Sequence, residues 1–261
     1  MKSATVNDLK NIYVPPRAGH KGQNGRLLII GGSHLFHAAS LWSLTVASRI
    51  VDLVHYCSVP ENNAIVQKAK EEFRNGIVVP RNDMESYIEE DDVILIGPGM
   101  TRDSETETLT NSLLKKYPHK QWVIDAGALQ MMDITLIPKN AILTPHHGEY
   151  AQLFGDQDVS AVAKKYQCIV LLKGVQDIAS DGKETRVIEG GNAGMTKGGT
   201  GDVLAGLIAS LACKNDPFLA TIAGSFINKK AGDTLYARVG PYFNATDLAG
   251  EIPKTMRRLI L

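Results

Sequence analysis

Short apolar runs that end in glycine or in polar residues recur along the chain. They contain only a few consecutive apolar residues, mostly Val, Ile and Leu, and they begin at Arg26, Val54, Asp92, Trp122, Ala141 and Cys168. Runs of this length are too short for helices, and they lack the alternation of a half-exposed strand. They are typical of parallel strands that are covered on both faces. The pattern therefore predicts a buried, parallel sheet.

Segments with helical character lie between most of these runs. They cover residues 38–51, 105–117, 149–154, 159–165 and 202–211. The alternation of strands and helices predicts an α/β fold with a mostly parallel central sheet flanked by helices. From Asp202 onwards the pattern is nearly all helical, and frequent Ala, Gly and Ser residues allow close packing. Because no linker or charge block interrupts the chain, residues 1–261 are predicted to form one domain.

Composition narrows the class of protein. The 261 residues are 44% hydrophobic, which suffices for a large core. Lys and Arg (28) balance Asp and Glu (28), so net charge gives no reason to expect a nucleic acid or an anionic membrane as a partner. No apolar run approaches the length of about 18 residues that spans a bilayer, and the N-terminus lacks the apolar core of a signal peptide. We therefore expect a soluble, cytoplasmic protein.

Cysteine usage fits that compartment. Cys57, Cys168 and Cys213 lack Cys-x-x-Cys spacing, and they are predicted to be buried free thiols. Asn244 begins the sequence "NAT", which matches a glycosylation acceptor. In a cytoplasmic protein this asparagine is instead predicted to cap a helix.

Glycines and polar residues follow each apolar run. In open α/β sheets, ligands bind beyond the carboxyl ends of the strands, where these loops meet. The segments expected to meet there are residues 31–33, 97–99, 125, 144–149, 173–174 and 197–202. Together they predict a site for phosphate and other polar ligands.

The sequence "KGGTGD" at residues 197–202 opens onto a predicted helix. Its glycines can adopt positive φ and direct several backbone N–H groups at one point, and the helix N-terminus adds about half a positive charge. This predicts a seat for phosphate, beside which Asp202 can take a proton from a hydroxyl. The alternative is a glycine-rich turn with Asp202 as an ordinary helix cap. The stretch matches neither a Walker A loop nor the dinucleotide-binding fingerprint.

The sequence "TPHHGE" offers a second group of candidates. His146 and His147 could be metal ligands, although adjacent residues rarely serve one structural zinc and no cysteine pair is near. His146 and Glu149 share a face if a helix begins here. Glu149 could then orient water on Mg²⁺ while His146 contacts phosphate or substrate. The alternative is a helix start at which Glu149 complements the helix dipole.

Two further polar residues end apolar runs. Lys173 ends the run "LLKG", where it is either a solvated edge residue or a contact to a nucleotide. Asp125 ends the run "WVID", where it is either a ligand or the cap of the next turn. The sequence alone leaves both pairs of alternatives open.

Six motifs together resemble a known family, the ADP/ATP-dependent NAD(P)H-hydrate dehydratases of the ribokinase-like superfamily. They are "GRLLIIGGS", "IGPGM", "VIDAGAL", "LTPHHGE", "LLKG" and "GMTKGGTGDVLAG", in family order and over most of the chain. The resemblance implies a three-layer ribokinase-like α/β fold. It also implies repair of NADH and NADPH that are hydrated on the nicotinamide ring. ADP or ATP phosphorylates the C6 hydroxyl, and phosphate is then eliminated.

The resemblance also implies roles for individual residues. Asp202 is implied to be the base that activates the hydroxyl. Glu149 ends the metal-linked Asn-x-x-Glu motif of the superfamily, with His146 in place of Asn, which implies contact with Mg²⁺ through water. The residues implied to line the hydrate site are Ala39, Gly99, His146 and Asp202. Those implied to bind the nucleotide and its phosphates are Lys173, Gly174, Gly198, Gly199, Thr200 and Gly201.

Three departures from the family pattern stand out. Ala38 replaces a glycine that is frequent in the family, and its methyl group could narrow the hydrate pocket. Lys197 adds a charge beside the phosphate seat, where it could help to hold phosphate. Many relatives are fused to an epimerase domain for which this chain has no room, so a separate epimerase is expected in the same pathway. The apolar C-terminal helices favour a homo-oligomer.

Two other functions compete with this hypothesis. A kinase of the same superfamily that acts on a vitamin alcohol, such as hydroxyethylthiazole, would use the same aspartate and phosphate seat but release a stable phosphoester. A non-catalytic nucleotide-binding protein could retain the fold alone. The motif "TPHHGE" favours the dehydratase over the kinase, and an intact Asp202 argues against loss of catalysis.

Overall fold

A computed structural model describes residues 1–261 and contains one ten-stranded sheet. The strands are β1 (Lys2–Ser3), β2 (Arg26–Ile30), β3 (Leu53–Cys57), β4 (Ile77–Val78), β5 (Val93–Ile96), β6 (Gln121–Ile124), β7 (Ile142–Leu143), β8 (Ile169–Leu172), β9 (Asp177–Ser180) and β10 (Thr185–Ile188). Their order in the sheet is β1-β10-β9-β8-β7-β6-β5-β2-β3-β4. Only β9 runs antiparallel to its neighbours. The sheet is therefore mostly parallel, as the apolar runs predict.

Ten α-helices cover this sheet. They are α1 (Ala38–Ala47), α2 (Pro60–Phe73), α3 (Met84–Glu90), α4 (Ser104–Lys116), α5 (Ala126–Met131), α6 (His147–Phe154), α7 (Val159–Tyr166), α8 (Thr200–Ala212), α9 (Pro217–Val239) and α10 (Ala245–Ile260). No helix combines the length and the apolar character that crossing a membrane requires.

Alternate residues of the central strands enter two separate hydrophobic cores. In β2, Leu27 and Ile29 belong to a core shared with α1, α8, α9 and α10, whereas Leu28 and Ile30 belong to a core shared with α3 to α7. Successive side chains of a strand point to opposite faces, so an uninterrupted apolar strand needs a cover on both. This arrangement gives three layers, with the sheet between two layers of helices.

Helix starts follow the local sequence. The carboxylates of Asp103, Asp158 and Asp216 accept backbone N–H groups at the starts of α4, α7 and α9. Asn244 caps α10 in the same way, which confirms its predicted role. Pro217 occupies the first position of α9, where its missing N–H has no cost.

The predicted boundaries differ from the observed ones in a few places. The helix predicted over residues 38–51 ends at Ala47, because the chain turns there towards β3. The helix predicted from Asp202 begins two residues earlier, at Thr200. Helices α2, α3 and α5, the edge strands β1 and β4, and strands β9 and β10 were not predicted. All three cysteines are buried and free, as predicted.

The loops at the carboxyl ends of the strands approach one another closely. The N–H of Gly32, after β2, donates to the carbonyl oxygen of Pro98, after β5, at 2.7 Å. A methyl group on Gly31 would overlap that same oxygen. Glycine at these positions therefore permits contact between two backbone segments that a larger residue would separate.

Replacement of Gly97 by alanine is expected to destabilise the protein strongly. Gly97 has a φ of +123°, and a methyl group there would overlap the carbonyl oxygen of Asp125. We expect Gly97→Ala to lower the free energy of unfolding by about 3 kcal/mol or more. The matched control is Gly250→Ala in α10, where nothing lies within 4 Å of the new methyl group. It should stabilise the protein by about 0.5–1 kcal/mol. Equal denaturation midpoints for the two variants would contradict this expectation.

Candidate active site

Helix α8 begins at the glycine-rich stretch. Its N-cap is Gly199, which has a φ of +94° and packs against the ring of Trp42. Asp202 is the third residue of the helix and is not its cap. The alternative in which Asp202 merely caps the helix is therefore wrong.

The first turn of α8 presents free backbone donors. The N–H of Thr200 donates to the carbonyl oxygen of Lys197 at 3.4 Å, and that of Val203 donates to Gly199 at 3.0 Å. Between them, the N–H groups of Gly201 and Asp202 have no backbone acceptor. The hydroxyl of Thr200 donates to the carbonyl oxygens of Met195 and Lys197, which ties the preceding loop to the helix. The helix start thus has the form of an anion-binding seat.

Lys173 lies beside this helix start and pairs with Asp125. Its ammonium is 2.9 Å from Asp125 Oδ1 and 3.6 Å from the point where a methyl group on Gly201 would lie. Asp125 is buried, and its Oδ1 also accepts the hydroxyl of Thr144 at 2.8 Å. The alternative of a solvated edge for Lys173 is therefore wrong. Asp125 does occupy the N-cap position of α5, as its second alternative predicted, but its side chain makes no capping hydrogen bond there and pairs with Lys173 instead.

The backbone at Asp125 is strained. The next residue, Ala126, has a φ of +45°, which is unfavourable for a residue with a Cβ atom. Strain of this kind persists only where the surroundings impose it, and it is frequent at functional sites. Here the strained residue, Ala126, directly follows Asp125, whose carboxylate pairs with Lys173.

Asp202 carries a strongly perturbed carboxyl group. Burial raises its pKa most, the charge of Asp125 also raises it, and the charge of Lys173 opposes both, so that the resulting pKa is about 7. Burial lowers the pKa of Lys173, but the charges of Asp125 and Glu149 outweigh that effect and raise it above the ordinary value. A carboxyl group with a pKa near neutrality is well suited to general-base catalysis.

His146 and Glu149 form a reciprocal cap at the start of α6. His146 Nδ1 accepts the N–H groups of Gly148 and Glu149, and Glu149 Oε2 accepts the N–H of His146 at 2.8 Å. Because Nδ1 is an acceptor, the neutral ring carries its proton on Nε2. Glu149 Oε1 accepts the side-chain amide of Gln130 at 2.8 Å. His146 is therefore available as a donor to a ligand through Nε2.

Ala39 and Gly99 lie close to each other. A methyl group on Gly99 would lie 3.1 Å from the Cβ of Ala39. Ser43, one turn after Ala39 on α1, donates its hydroxyl to the carbonyl oxygen of Asp202 at 2.7 Å. Residues four apart on a helix share a face, so Ala39 lies on the face of α1 that contacts α8.

A cavity of about 700 Å³, here called the main cavity, lies beside the start of α8. Five of the predicted site residues line it, namely His146, Lys173, Gly174, Thr200 and Gly201. The other predicted site residues lie outside its lining, namely Ala39, Gly99, Glu149, Gly198, Gly199 and Asp202. Other lining residues were not predicted, including Asp177, Gly190, Gly191, Asn192, Asn228 and Lys229. The Oδ1 atom of Asn228 is buried without a hydrogen-bond partner, so the wall of the main cavity contains an unsatisfied acceptor.

Some signals in the sequence could have identified these additional residues. The pair Gly190-Gly191 precedes Asn192 just before the motif "GMTKGGTGD", and Lys229 interrupts an otherwise apolar helical segment. Lys197, by contrast, does not line the main cavity. Its ammonium donates to the carbonyl oxygen of Pro241 and lies 5.5 Å from the centre of the Phe243 ring.

The carboxylates near Lys173 bear on metal binding. No group of three or more His, Cys, Asp or Glu side chains is arranged to hold a metal ion. The charges of Asp125 and Glu149 nevertheless act on both Lys173 and Asp202, so three carboxylates share one ammonium. Mg²⁺ usually keeps several waters and binds one or two carboxylates together with substrate phosphates. This donor set fits a Mg²⁺ ion held chiefly by water and phosphate.

Comparisons with a family model and with individual known sequences point to the same family. The family model described as NAD(P)H-hydrate dehydratase matches residues 27–254. The bifunctional NAD(P)H-hydrate repair enzyme of Methanocaldococcus jannaschii is 36% identical over 96% of this chain and 52% of its own length. The ADP-dependent (S)-NAD(P)H-hydrate dehydratase of Nitrosopumilus maritimus is 34% identical over 94% of this chain and 93% of its own length. The chain thus spans about half the length of the bifunctional relative.

Comparison with solved structures confirms the predicted ribokinase-like fold. A ribokinase-like superfamily protein from Enterococcus faecalis superposes with a TM-score of 0.85 and 25% identity, over 99% of this chain and 96% of its own. The ADP/ATP-dependent NAD(P)H-hydrate dehydratase of Bacillus subtilis, co-crystallised with ATP and Mg²⁺, has a TM-score of 0.85 and 22% identity, over 99% and 98%. With the family model and two relatives above 30% identity, the chain belongs to the NAD(P)H-hydrate dehydratase family.

Proposed function

We propose that this chain dehydrates hydrated NADH and NADPH at the expense of ADP or ATP. One observation carries the proposal: a carboxyl group with a pKa of about 7, Asp202, lies in the first turn of a helix in which the N–H groups of Gly201 and Asp202 have no backbone acceptor. Gly201 in this turn lines the main cavity, and the carbonyl oxygen of Asp202 accepts the hydroxyl of Ser43, one turn after Ala39 on α1. The names of the relatives from M. jannaschii and N. maritimus support the same chemistry.

In the first step, Asp202 takes the proton of the C6 hydroxyl on the hydrated ring. The hydroxyl oxygen forms a bond to the terminal phosphorus, whose bond to the leaving nucleotide oxygen breaks, so ADP yields AMP and ATP yields ADP. The free N–H groups of Gly201 and Asp202 stabilise the charge that develops on the phosphoryl oxygens. In the second step the C6–O bond breaks, phosphate leaves with its electron pair, and loss of a proton from C5 restores the dihydropyridine.

The remaining residues bind and orient the two substrates. The nucleotide occupies the main cavity, where Lys173 and Gly174 contact it and Thr200 and Gly201 face its phosphates. Gly198 and Gly199 act through the backbone shape that they give to the preceding turn. The hydrated ring lies against Ala39 and Gly99, with His146 Nε2 as a hydrogen-bond donor. Side chains on both sides of Asp202 thereby place the hydroxyl and the phosphoryl group together.

Glu149 is the residue proposed to face Mg²⁺ through a water molecule. A Mg²⁺ ion held there would neutralise negative charge on the phosphate oxygens. Both oxygens of Glu149 already accept hydrogen bonds, from Gln130 and from the N–H of His146, which favours contact through water over direct ligation.

Glu149→Gln is expected to raise the Mg²⁺ concentration needed for half-maximal activity. The substitution removes one negative charge and keeps one oxygen that can accept the N–H of His146. We expect the Mg²⁺ requirement to rise about tenfold, which corresponds to the loss of about 1.4 kcal/mol of interaction. Titration of activity with Mg²⁺ measures the shift, and Glu105→Gln on the exposed side of α4 is the control. Full activity in the presence of a chelator would contradict the role of the metal.

The vitamin-alcohol kinase is the second candidate, because it would use the same fold and the same aspartate. A continuous assay separates the two functions: hydrated NADH is incubated with the protein, ADP or ATP, and Mg²⁺. The dehydratase restores the absorbance of the dihydronicotinamide ring. A kinase would instead convert its alcohol to a phosphoester that persists. A protein that binds nucleotide without turnover in either assay would be the non-catalytic alternative.

The same proposal includes three features of the wider system. Residues 1–261 form one domain, the chain assembles into a homo-oligomer, and a separate epimerase supplies the hydrate epimer that this enzyme uses. Size-exclusion chromatography with light scattering tests the second feature. Conversion of only part of an epimer mixture, completed when an epimerase is added, tests the third.

A further inference from the structure

One face of α9 bonds to two loops that line the main cavity. Ser225, Lys229 and Asp233 follow one another at intervals of four residues, so they share this face. Each of them bonds to residues of these loops or to the strand between them. The first loop, residues 174–176, connects β8 to β9, and the second, residues 189–192, follows β10.

Lys229 connects the two loops directly. Its ammonium donates to the carbonyl oxygens of Gly174 and Val175 at 3.1 Å each, and to that of Gly190 at 3.2 Å. It also lies 3.2 Å from Asp177 Oδ1. An ammonium group has three protons, and these four acceptors use all of them. Lys229 is only 5% exposed, so it shapes the wall and has no free proton for a ligand.

Asp177 completes the connection from the other side. Its Oδ1 accepts the N–H of Gly174 at 2.9 Å, which closes the first loop on itself. Its Oδ2 accepts the hydroxyl of Ser225 at 2.7 Å, which fixes the start of β9 to α9. Asp177 is 4% exposed, so its charge depends on Lys229 for compensation.

Asp233 holds the second loop one turn further along α9. Its Oδ1 accepts the N–H of Gly191 at 3.0 Å and the side-chain amide of Asn192 at 3.4 Å. Gly190 and Gly191 have φ values of +109° and +81°, so this loop has little conformational preference of its own. Bonds to α9 therefore determine where these residues lie.

We propose that the Lys229–Asp177 pair is a positioning element that sets the spacing of the two loops and thereby the affinity of the main cavity for the nucleotide. The inference rests on the proposed function in that the occupant of the main cavity is ADP or ATP. Asp202 and the α8 start lie outside this pair and its bonds. The pair consequently governs nucleotide binding and not the chemical step.

The test removes both charges together, because loss of Lys229 alone would leave Asp177 buried and unpaired. In the variant Lys229→Met/Asp177→Asn, the Kd of ADP with Mg²⁺, measured calorimetrically without hydrate, should rise about tenfold or more, since small misplacements of binding groups are costly. The KM for ADP should rise equally, while kcat at saturating ADP and the KM for the hydrate should stay unchanged.

A matched control removes another buried pair. His55 Nδ1 lies 2.8 Å from Asp91 Oδ2, and His55 belongs to β3, which is separated from β8 by strands β2, β5, β6 and β7. The variant His55→Gln/Asp91→Asn should change stability but leave the Kd of ADP unchanged. A general loss of packing would instead weaken ADP binding in both double variants.

The outcomes separate the inference from the proposed function. Failure of the wild-type protein to bind either ADP or ATP would overturn the proposed function. Normal binding by the wild type and the same Kd in a folded Lys229→Met/Asp177→Asn variant would overturn the inference. If that variant does not fold, Asp233→Ala decides, because Asp233 is partly exposed and its loss frees only the second loop. A several-fold higher Kd supports the inference, and an unchanged Kd contradicts it.

Discussion

Asp202→Asn is expected to reduce turnover by about 10²–10⁴-fold, the usual contribution of a general base. Asparagine has the same size but cannot accept the proton of the C6 hydroxyl. Binding of ADP should stay close to normal, because the phosphate seat consists of backbone N–H groups of α8. The measurements are kcat and the Kd of ADP. Asp216→Asn, which alters only the cap of α9, is the control and should leave turnover unchanged.

The same variant has a predicted effect on stability whose sign depends on pH. The pKa of Asp202 is about 7 in the folded protein, against an ordinary value of 3.8. The folded state therefore binds this proton more tightly than the unfolded state, and the wild type loses stability as pH rises from about 4 to 7. Asparagine carries no charge, so Asp202→Asn should be more stable than the wild type above pH 7, by at most about 4 kcal/mol.

At pH 4 the two proteins should melt at similar temperatures, because Asp202 is then protonated in the folded state. A lower melting temperature at pH 8 together with an unchanged kcat would show that Asp202 serves structure and not chemistry. The wild-type rate should itself fall as pH drops below about 7, where the base becomes protonated.

At low pH the rate falls as Asp202 becomes protonated, and this part of the pH–rate profile is called the acid limb here. Lys173→Met is expected to move the acid limb to higher pH. The charge of Lys173 lowers the pKa of Asp202, so its removal raises the pKa, by about one unit or more for a close opposite charge. The KM for ADP or ATP should rise more than the KM for the hydrate. Stability should fall by about 3–5 kcal/mol, because the buried Asp125 loses its partner.

A double variant separates these effects of Lys173. In Lys173→Met/Asp125→Asn, the buried carboxylate is neutral as well, so most of the lost stability should return. The charges of Asp125 and Lys173 shift the pKa of Asp202 in opposite directions, so the acid limb should return towards its wild-type position. The KM for the nucleotide should stay high. An unchanged acid limb and an unchanged nucleotide KM in Lys173→Met would leave Lys173 a purely structural role.

The sequence predicted the central part of the fold because its strands are buried on both faces. Runs such as "LLII" in β2 and "VILI" in β5 have no polar position, and only a sheet between two layers of helices accommodates them. Strand β10, "TRVI", is partly exposed and short, and its pairing with β9 depends on tertiary contacts. Helix α2 is rich in polar residues, so its apolar periodicity is weak.

The candidate site was predictable to a similar extent. The rule that loops meet at the carboxyl ends of parallel strands brought Asp125, His146 and Lys173 together, but it could not show that Lys173 pairs with Asp125, 48 residues away. The wall formed by the β10 loop and α9 depends on packing between distant segments, so only its glycines and Lys229 left a trace in the sequence. The roles of Asp202, Glu149 and the glycines stay predictions until variants are measured.

The stoichiometry of the complete reaction tests the central claim most directly. Hydrated NADH, ADP and Mg²⁺ are incubated with the wild-type protein, and NADH, AMP and inorganic phosphate are quantified together. Phosphorylation followed by elimination predicts one AMP and one inorganic phosphate for each NADH restored, and no product in Asp202→Asn. AMP that forms with a lasting phosphoester, or NADH that forms without consumption of ADP, would contradict the account.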